Sequence, residues 1–180
     1  TIAQRLAGGI NAFALLAIPL FILSGELMNK GGIAHRLIAF AKTLVGSLPG
    51  GLALINVFSA MLMGAIAGSA MASASAMGSI LGPEMEKEGY AKEFGAAVNI
   101  TAATTGLIIP PSNVLIVYSL ASGGASIAAL FLAGYVPGIM TGLFLMVVAS
   151  LWAKKKGYKV GKRSSLKEVL KTFITALPSL

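Results

Sequence analysis

Hydrophobic positions dominate two long stretches of this chain, residues 43–83 and 94–153, neither of which contains Asp, Glu, Lys or Arg. Uncharged apolar runs of 18 or more residues are typical of membrane-spanning helices. Residues 10–29 form another mainly apolar segment, of about the 20 residues that cross a bilayer core. The pattern predicts an all-α integral membrane protein with several transmembrane helices.

After this first span, polar residues return with a helical period. Apolar residues recur at positions 33, 37, 41 and 44, whereas His35, Arg36 and Lys42 fall on another face. This alternation is typical of an amphipathic helix lying at the membrane interface. We therefore predict that residues 1–48 form a transmembrane span followed by an interfacial helix.

The apolar segment between Pro49 and Pro83 has an unusual length. As one helix it would reach roughly 50 Å, well beyond a bilayer core of about 30 Å, whereas two full spans need about 40 residues plus a turn. A re-entrant helical hairpin over residues 49–86, with its tip near Gly68, Ser69 and Ala70, fits this length. Small residues four apart, including Gly78 and Gly82, are expected to let the arms pack closely.

A proline pair interrupts the next predicted helix, residues 92–121. Pro110 and Pro111 have no N–H, so the carbonyls of Gly106 and Leu107 lose their helical donors. Within a bilayer, such open backbone is tolerated only where protein, a water-filled cavity or a ligand satisfies it. The pattern therefore predicts a discontinuous helix whose break is a candidate binding site.

The C-terminal part divides into two predicted regions. Residues 125–156 are expected to form a short helix and a last span, which starts at Pro137 and ends at the interfacial Trp152. Residues 157–180 are expected to form a basic tail with a linker helix, because Ser165 and Glu168 have the spacing of a capping box. The charged stretch from Glu84 to Glu93 is predicted to be a loop.

Composition and charge agree with a membrane protein. The chain is 56% hydrophobic and 11% charged, with a mean hydropathy of +0.85. Eight of the 14 Lys and Arg residues lie between Lys154 and Lys171, which explains the net charge of +8 without nucleic acid. Under the positive-inside rule this region is cytoplasmic. The chain contains no cysteine, so disulfides are excluded.

The hairpin tip and the proline break can both reach the middle of the membrane, where together they could form one site. Transporters use such interruptions: helix N-termini attract anionic substrates, and freed carbonyls bind cations. Oxygen ligands suit a hard cation such as Na⁺. The candidate Na⁺ ligands are Gly68, Ser69, Ser73, Gly106, Leu107, Ser112 and Asn113. The candidate substrate-binding residues are Ser69, Ala70, Met71, Ser112 and Asn113.

Three sequence motifs resemble those of the large membrane subunit of tripartite ATP-independent periplasmic (TRAP) transporters. They are the segment 18–29 (IPLFILSGELMN), the tip 68–73 (GSAMAS) and the break 106–113 (GLIIPPSN). The resemblance covers nearly the whole chain and implies an elevator-type, sodium-coupled importer of organic acids in the bacterial inner membrane. It also implies a small membrane subunit and a periplasmic substrate-binding protein as partners. The chain is similar to one half of that subunit's inverted repeat, so we expect a longer protein.

Two other functions remain open at this point. The first is a non-transporting membrane scaffold, in which the interruptions only shape helix packing. The second is a membrane-embedded enzyme, but the apolar regions offer no acid pair, no His for a Ser nucleophile and no metal cluster. Of the polar residues outside the two interruptions, Asn99 is the one most worth testing, because it is an amide in an apolar helix.

Overall fold

A computed structural model describes residues 17–161 and 163–177, and the secondary structure of these residues is entirely helical. Residues 10–16 of the predicted first span lie outside this part of the chain. In chain order the helices are α1 (Ala17–Lys30), α2 (Ile33–Val45), α3 (Gly51–Ala67), α4 (Ala70–Lys87), α5 (Lys92–Ile108), α6 (Asn113–Ala121), α7 (Ile127–Lys156) and α8 (Leu166–Ala176).

Helix α3 lies at the centre of the molecule. It is apolar except for the buried Asn56 and Ser59, as expected of a helix surrounded by others, and it packs against α2, α4, α5 and α7. Ala53, Val57, Ala60, Met63 and Ala67 of this helix are all fully buried. The hairpin and the broken helix therefore assemble around α3.

The predicted amphipathic helix is α2, and its apolar face is covered by protein. Leu37 and Ala41 are fully buried in the core around α3. Another part of the surface of α2 packs against α8, where Phe40 and Phe173 have ring centroids 5.5 Å apart. Helix α8 begins with the predicted capping box, in which the Glu168 carboxylate accepts a hydrogen bond from the Ser165 N–H at 3.0 Å.

The chain reverses between α3 and α4 at only two residues, Gly68 and Ser69. Gly68 is left-handed (φ 60°), a conformation that favours glycine, and its N–H donates to the Gly64 carbonyl at 2.8 Å. The two arms contain 17 and 18 residues, which makes them about 25 and 27 Å long.

Helix α4 contains Pro83 and ends at Lys87, one residue beyond the predicted hairpin over residues 49–86. The predicted loop from Glu84 to Glu93 is therefore wrong at both ends, since α4 continues to Lys87 and α5 begins at Lys92. Pro83 removes one helical donor, but the residue before it is Gly82. Since glycine has no Cβ to meet the proline ring, α geometry is tolerated at this position.

The proline break separates α5 from α6. Helix α5 ends at Ile108 and α6 begins at Asn113, and the two axes are bent by 54°. The peptide bond between Pro110 and Pro111 is cis. The 54° bend redirects the chain at the break.

The predicted division of residues 125–156 into two elements is wrong, because α7 is one helix of 30 residues that passes through Pro137. One proline removes a single helical hydrogen bond, and packing against other helices outweighs this loss. Within the described residues, α7 is the one helix long and apolar enough to cross a membrane, and α5 with α6 would be a second if counted as one bent span. Large apolar side chains such as Leu132 and Phe144 are exposed on α7.

Candidate functional site

The hairpin tip and the proline break lie against each other. A Cβ added to Gly68 would be 3.0 Å from the Pro111 carbonyl oxygen and 3.7 Å from the Asn113 backbone nitrogen. The two interruptions, about 40 residues apart in sequence, thus meet backbone to backbone. The absence of a side chain at Gly68 permits this approach as well as the left-handed turn.

Both helices that leave the junction begin with a serine cap. The Ser69 hydroxyl accepts a hydrogen bond from the Ala72 N–H at 3.3 Å, and the Ser112 hydroxyl accepts one from the Leu115 N–H at 3.4 Å. Both serines have extended backbone, the usual conformation of an N-cap residue. The junction therefore brings together the partly positive N-termini of α4 and α6.

Asn113 supplies a buried oxygen without a partner. Its Oδ1 atom is shielded from solvent and makes no hydrogen bond with any of the described residues. Its Cγ atom lies 3.7 Å from a Cβ built on Gly68, so the amide is at the junction itself. Leaving such an oxygen unpaired costs about 1–3 kcal/mol, which makes it a ready ligand for a cation or a donor.

Two of the candidate ligands lie in a different layer, around the Ala60 carbonyl of α3. The buried Ser73 hydroxyl donates to this carbonyl at 3.2 Å, and a Cβ on Gly106 would be 2.5 Å from it. The backbones of Gly64 and Gly106 also touch, since a Cβ on Gly64 would overlap Gly106. Ser73 and Gly106 are thus in contact with α3 and hold α3, α4 and α5 together.

Helix α7 packs against the break. A Cβ on Gly134 would lie 2.8 Å from the Ile108 carbonyl, and one on Gly138 would lie 3.2 Å from the Ile109 nitrogen. Gly142, one turn further, faces the side chain of Met61. Sequence reasoning missed this glycine row, although its four-residue spacing was a usable signal for close helix packing.

The remaining candidate residues differ in exposure. Met71 is 83% exposed, and Ala70 is half-buried, so both lie at the surface of the tip. Leu107 is half-buried, and Pro110 is buried. Pro110 and Pro111 follow Gly106 and Leu107 by four residues each, and neither proline has an N–H to donate to their carbonyls. Met71 therefore differs from the other candidate residues in its exposure to solvent.

No charged side chain from the described part of the chain contributes to the site. The two apolar stretches from which it is built contain no acidic or basic side chain. Among the described residues there is also no group of three His, Cys, Asp or Glu that could hold a metal. Its selectivity must therefore depend on carbonyl, hydroxyl and amide oxygens and on helix N-termini, a donor set that suits a hard monovalent cation or a carboxylate.

Interrupted apolar helices whose uncharged ends meet are typical of membrane transport proteins. Over residues 1–180 the chain matches the DctM component of the tripartite ATP-independent periplasmic transporters. The chain belongs to this family, and the resemblance of its motifs to the TRAP large membrane subunit is confirmed.

Several relatives match almost the whole chain. The protein YgiK of Salmonella typhimurium is 56% identical over 99% of this chain and 41% of its own length. A C4-dicarboxylate TRAP transporter large permease protein of Pseudomonas aeruginosa is 46% identical over 98% of the chain and 41% of its own length. A sialic acid TRAP transporter large permease protein of Vibrio cholerae is 38% identical over 99% of the chain and 42% of its own length. The chain thus spans about two fifths of the length of these relatives.

Proposed function

We propose that this chain is part of the large permease subunit of a Na⁺-coupled TRAP transporter that imports small organic acids across the bacterial inner membrane. Membership of the family supports the transport role, and the names of two relatives, for C4-dicarboxylates and for sialic acid, support organic anions as the substrate class. The proposal includes two partners, a small membrane subunit and a periplasmic substrate-binding protein. It also places the basic segment after α7 in the cytoplasm.

One observation carries the assignment of the site: Gly68 of the tip contacts the break beside the unpartnered Asn113 amide oxygen. We propose that Na⁺ binds at this junction, with Gly68, Ser69, Ser112 and Asn113 nearest to it. A cation there would pair with the Asn113 oxygen and with the hydroxyl lone pairs left free by the two caps. Ser73 and Gly106, from the layer around the Ala60 carbonyl, and Leu107 complete the proposed ligand set.

The anionic substrate is proposed to bind beside the same junction, where the N-termini of α4 and α6 converge. Ser69, Ala70 and Met71 begin α4, and Ser112 and Asn113 begin α6. Free N–H groups and the helix dipole favour a carboxylate at such a place. The proposed elevator movement and a second, inverted half would involve chain beyond these residues.

The test is Na⁺-dependent uptake by the complete transporter reconstituted in vesicles. Removing one cation ligand by Asn113→Ala should raise the Na⁺ concentration for half-maximal uptake by about tenfold or more, since an interaction with a charge contributes about 1.5–3 kcal/mol. Thr104→Ala is the matched control, because Thr104 is exposed on α5 and its hydroxyl donates only to the Thr101 carbonyl. An unchanged Na⁺ requirement in Asn113→Ala, and also in Ser69→Ala and Ser112→Ala, would favour the scaffold function.

A further inference from the structure

A second group of unpartnered polar atoms lies away from the junction, between α3, α4 and α5. Asn56 Oδ1, Asn99 Oδ1 and Tyr90 Oη are all buried and make no hydrogen bond with the described residues; the Leu52 backbone amide is near Tyr90 Oη but outside hydrogen-bond geometry. Asn56 is 1% exposed and Tyr90 5%. Buried polar atoms without partners are rare in folded proteins, so three in one region require an explanation.

All three residues line one cavity of about 220 Å³, here called the polar cavity and lined by Asn56, Gly78, Gly82, Met85, Tyr90 and Asn99 among others. Twelve residues, or about 18 Å of helix, separate Asn56 from Gly68, so the cavity is distinct from the tip. Glu86 and Lys92, whose side chains form an ion pair of 3.3 Å, lie on its exposed side.

The orientation of the Asn99 amide is fixed by a specific contact. Its Nδ2 group donates to the Ala74 carbonyl at 2.9 Å, so Oδ1 is held on the opposite side of the amide. A Cβ on Gly78 would be 2.7 Å from Nδ2, so glycine at this position makes room for the amide. The packing of α4 on α5 thus preserves an amide oxygen that none of the described residues satisfies.

The chemistry of the lining points to a neutral hydrogen-bonding occupant. Burial raises the pKa of the Tyr90 phenol, only partly offset by the nearby Leu52 backbone amide, so this group stays protonated near neutral pH. It supplies an O–H donor, and the two amide oxygens supply acceptors. Polar cavities of this size hold water, each molecule occupying about 30 Å³ and needing two to four polar partners.

We propose that the polar cavity holds a cluster of ordered water molecules that satisfies Asn56, Asn99 and Tyr90. The cluster separates α4 from α5 on the side of the Glu86–Lys92 ion pair. The contact between α4 and α5 is then wet at this level and dry only nearer the tip. This inference does not depend on the proposed transport of Na⁺ or of organic acids.

Radiolytic footprinting of the complete, unmodified protein tests the proposal, because X-rays produce hydroxyl radicals from water already inside the protein. Met85 is 1% exposed and lines the polar cavity, whereas Met77, on the same helix, is 0% exposed and does not line it. Oxidation of the thioether should be about tenfold faster at Met85 than at Met77. Equal rates at the two methionines would mean that the cavity is dry and would overturn the proposal.

A cavity-filling variant gives a second, independent readout. Gly95 lines the polar cavity, and a Cβ there would be 3.7 Å from the Met85 methyl group. Gly95→Leu should therefore displace water beside Met85 and lower its oxidation to the rate of Met77. Ala97→Leu, at an exposed position of the same helix, should leave the Met85 rate unchanged. Fast oxidation of Met85 that persists in Gly95→Leu would also overturn the proposal.

Discussion

Substituting Gly106 by alanine tests the closest helix contact near the site. The new Cβ would lie 2.5 Å from the Ala60 carbonyl oxygen and 2.8 Å from the Gly64 Cα. Both are backbone atoms of α3, which no rotamer change can remove. Restoring an ordinary contact requires α3 and α5 to separate by roughly 1 Å, and overpacking of this kind costs about 1–3 kcal/mol.

Alanine also has a better helix propensity than glycine, by about 1 kcal/mol, which offsets part of this cost. Because the opposing atoms belong to the backbone, we expect the upper part of the range and a net destabilisation of about 1–2 kcal/mol. This corresponds to roughly a 5- to 30-fold shift in the unfolding equilibrium. The measurement is reversible unfolding of the complete protein in mixed micelles, titrated with a denaturing detergent.

Gly95→Ala is the matched control, since it changes glycine to alanine in the same helix α5. Its Cβ would meet only the flexible end of Met85, at 3.7 Å, which is an ordinary contact. This variant should be neutral or more stable by up to about 1 kcal/mol. If Gly106→Ala proved as stable as Gly95→Ala, the close crossing of α3 and α5 would be refuted.

Two further predictions concern contacts outside the junction. Tyr158→Phe should lower the free energy of unfolding by about 0.5–1.5 kcal/mol in the same titration. The reason is that the Ala91 N–H loses the hydroxyl to which it donates at 3.2 Å. No change would mean that water replaces this bond. Gly138→Ala should destabilise by about 1–3 kcal/mol, because its Cβ would be 2.6 Å from Ile109 Cγ1 and 3.2 Å from the Ile109 backbone nitrogen. Gly142→Ala should cost less, because its Cβ would overlap only the Met61 side chain, which can change rotamer, and no backbone atom. Equal effects of these two glycine changes would contradict the packing of α7 on the break.

The interruptions of the helices were predictable from the sequence because each depends on local backbone chemistry. Two consecutive prolines, here Pro110 and Pro111, end a helix. Gly68 followed by Ser69 combines a left-handed residue with an N-cap. The capping box at Ser165 is equally local, and it is confirmed. Such signals act within a few residues and do not require knowledge of the tertiary structure.

The error at Pro137 has the opposite origin. A single proline in a helix costs one hydrogen bond, and whether the helix continues depends on neighbouring helices that the local sequence does not specify. The polar cavity could not be predicted for the same reason. Asn56 lies on α3, Asn99 on α5 and Tyr90 in the connection between α4 and α5, and only the packing of these elements brings them to one cavity.

The contact between Gly64 and Gly106 also limits how far the junction can be disturbed. Gly64 is four residues from Gly68, which gives a lever arm of about 6 Å along α3. If α3 and α5 tilted by about 10° around this contact, the tip would move relative to the break by only about 1 Å. A pivot so close to the junction makes the geometry of the site insensitive to bending elsewhere in these two helices.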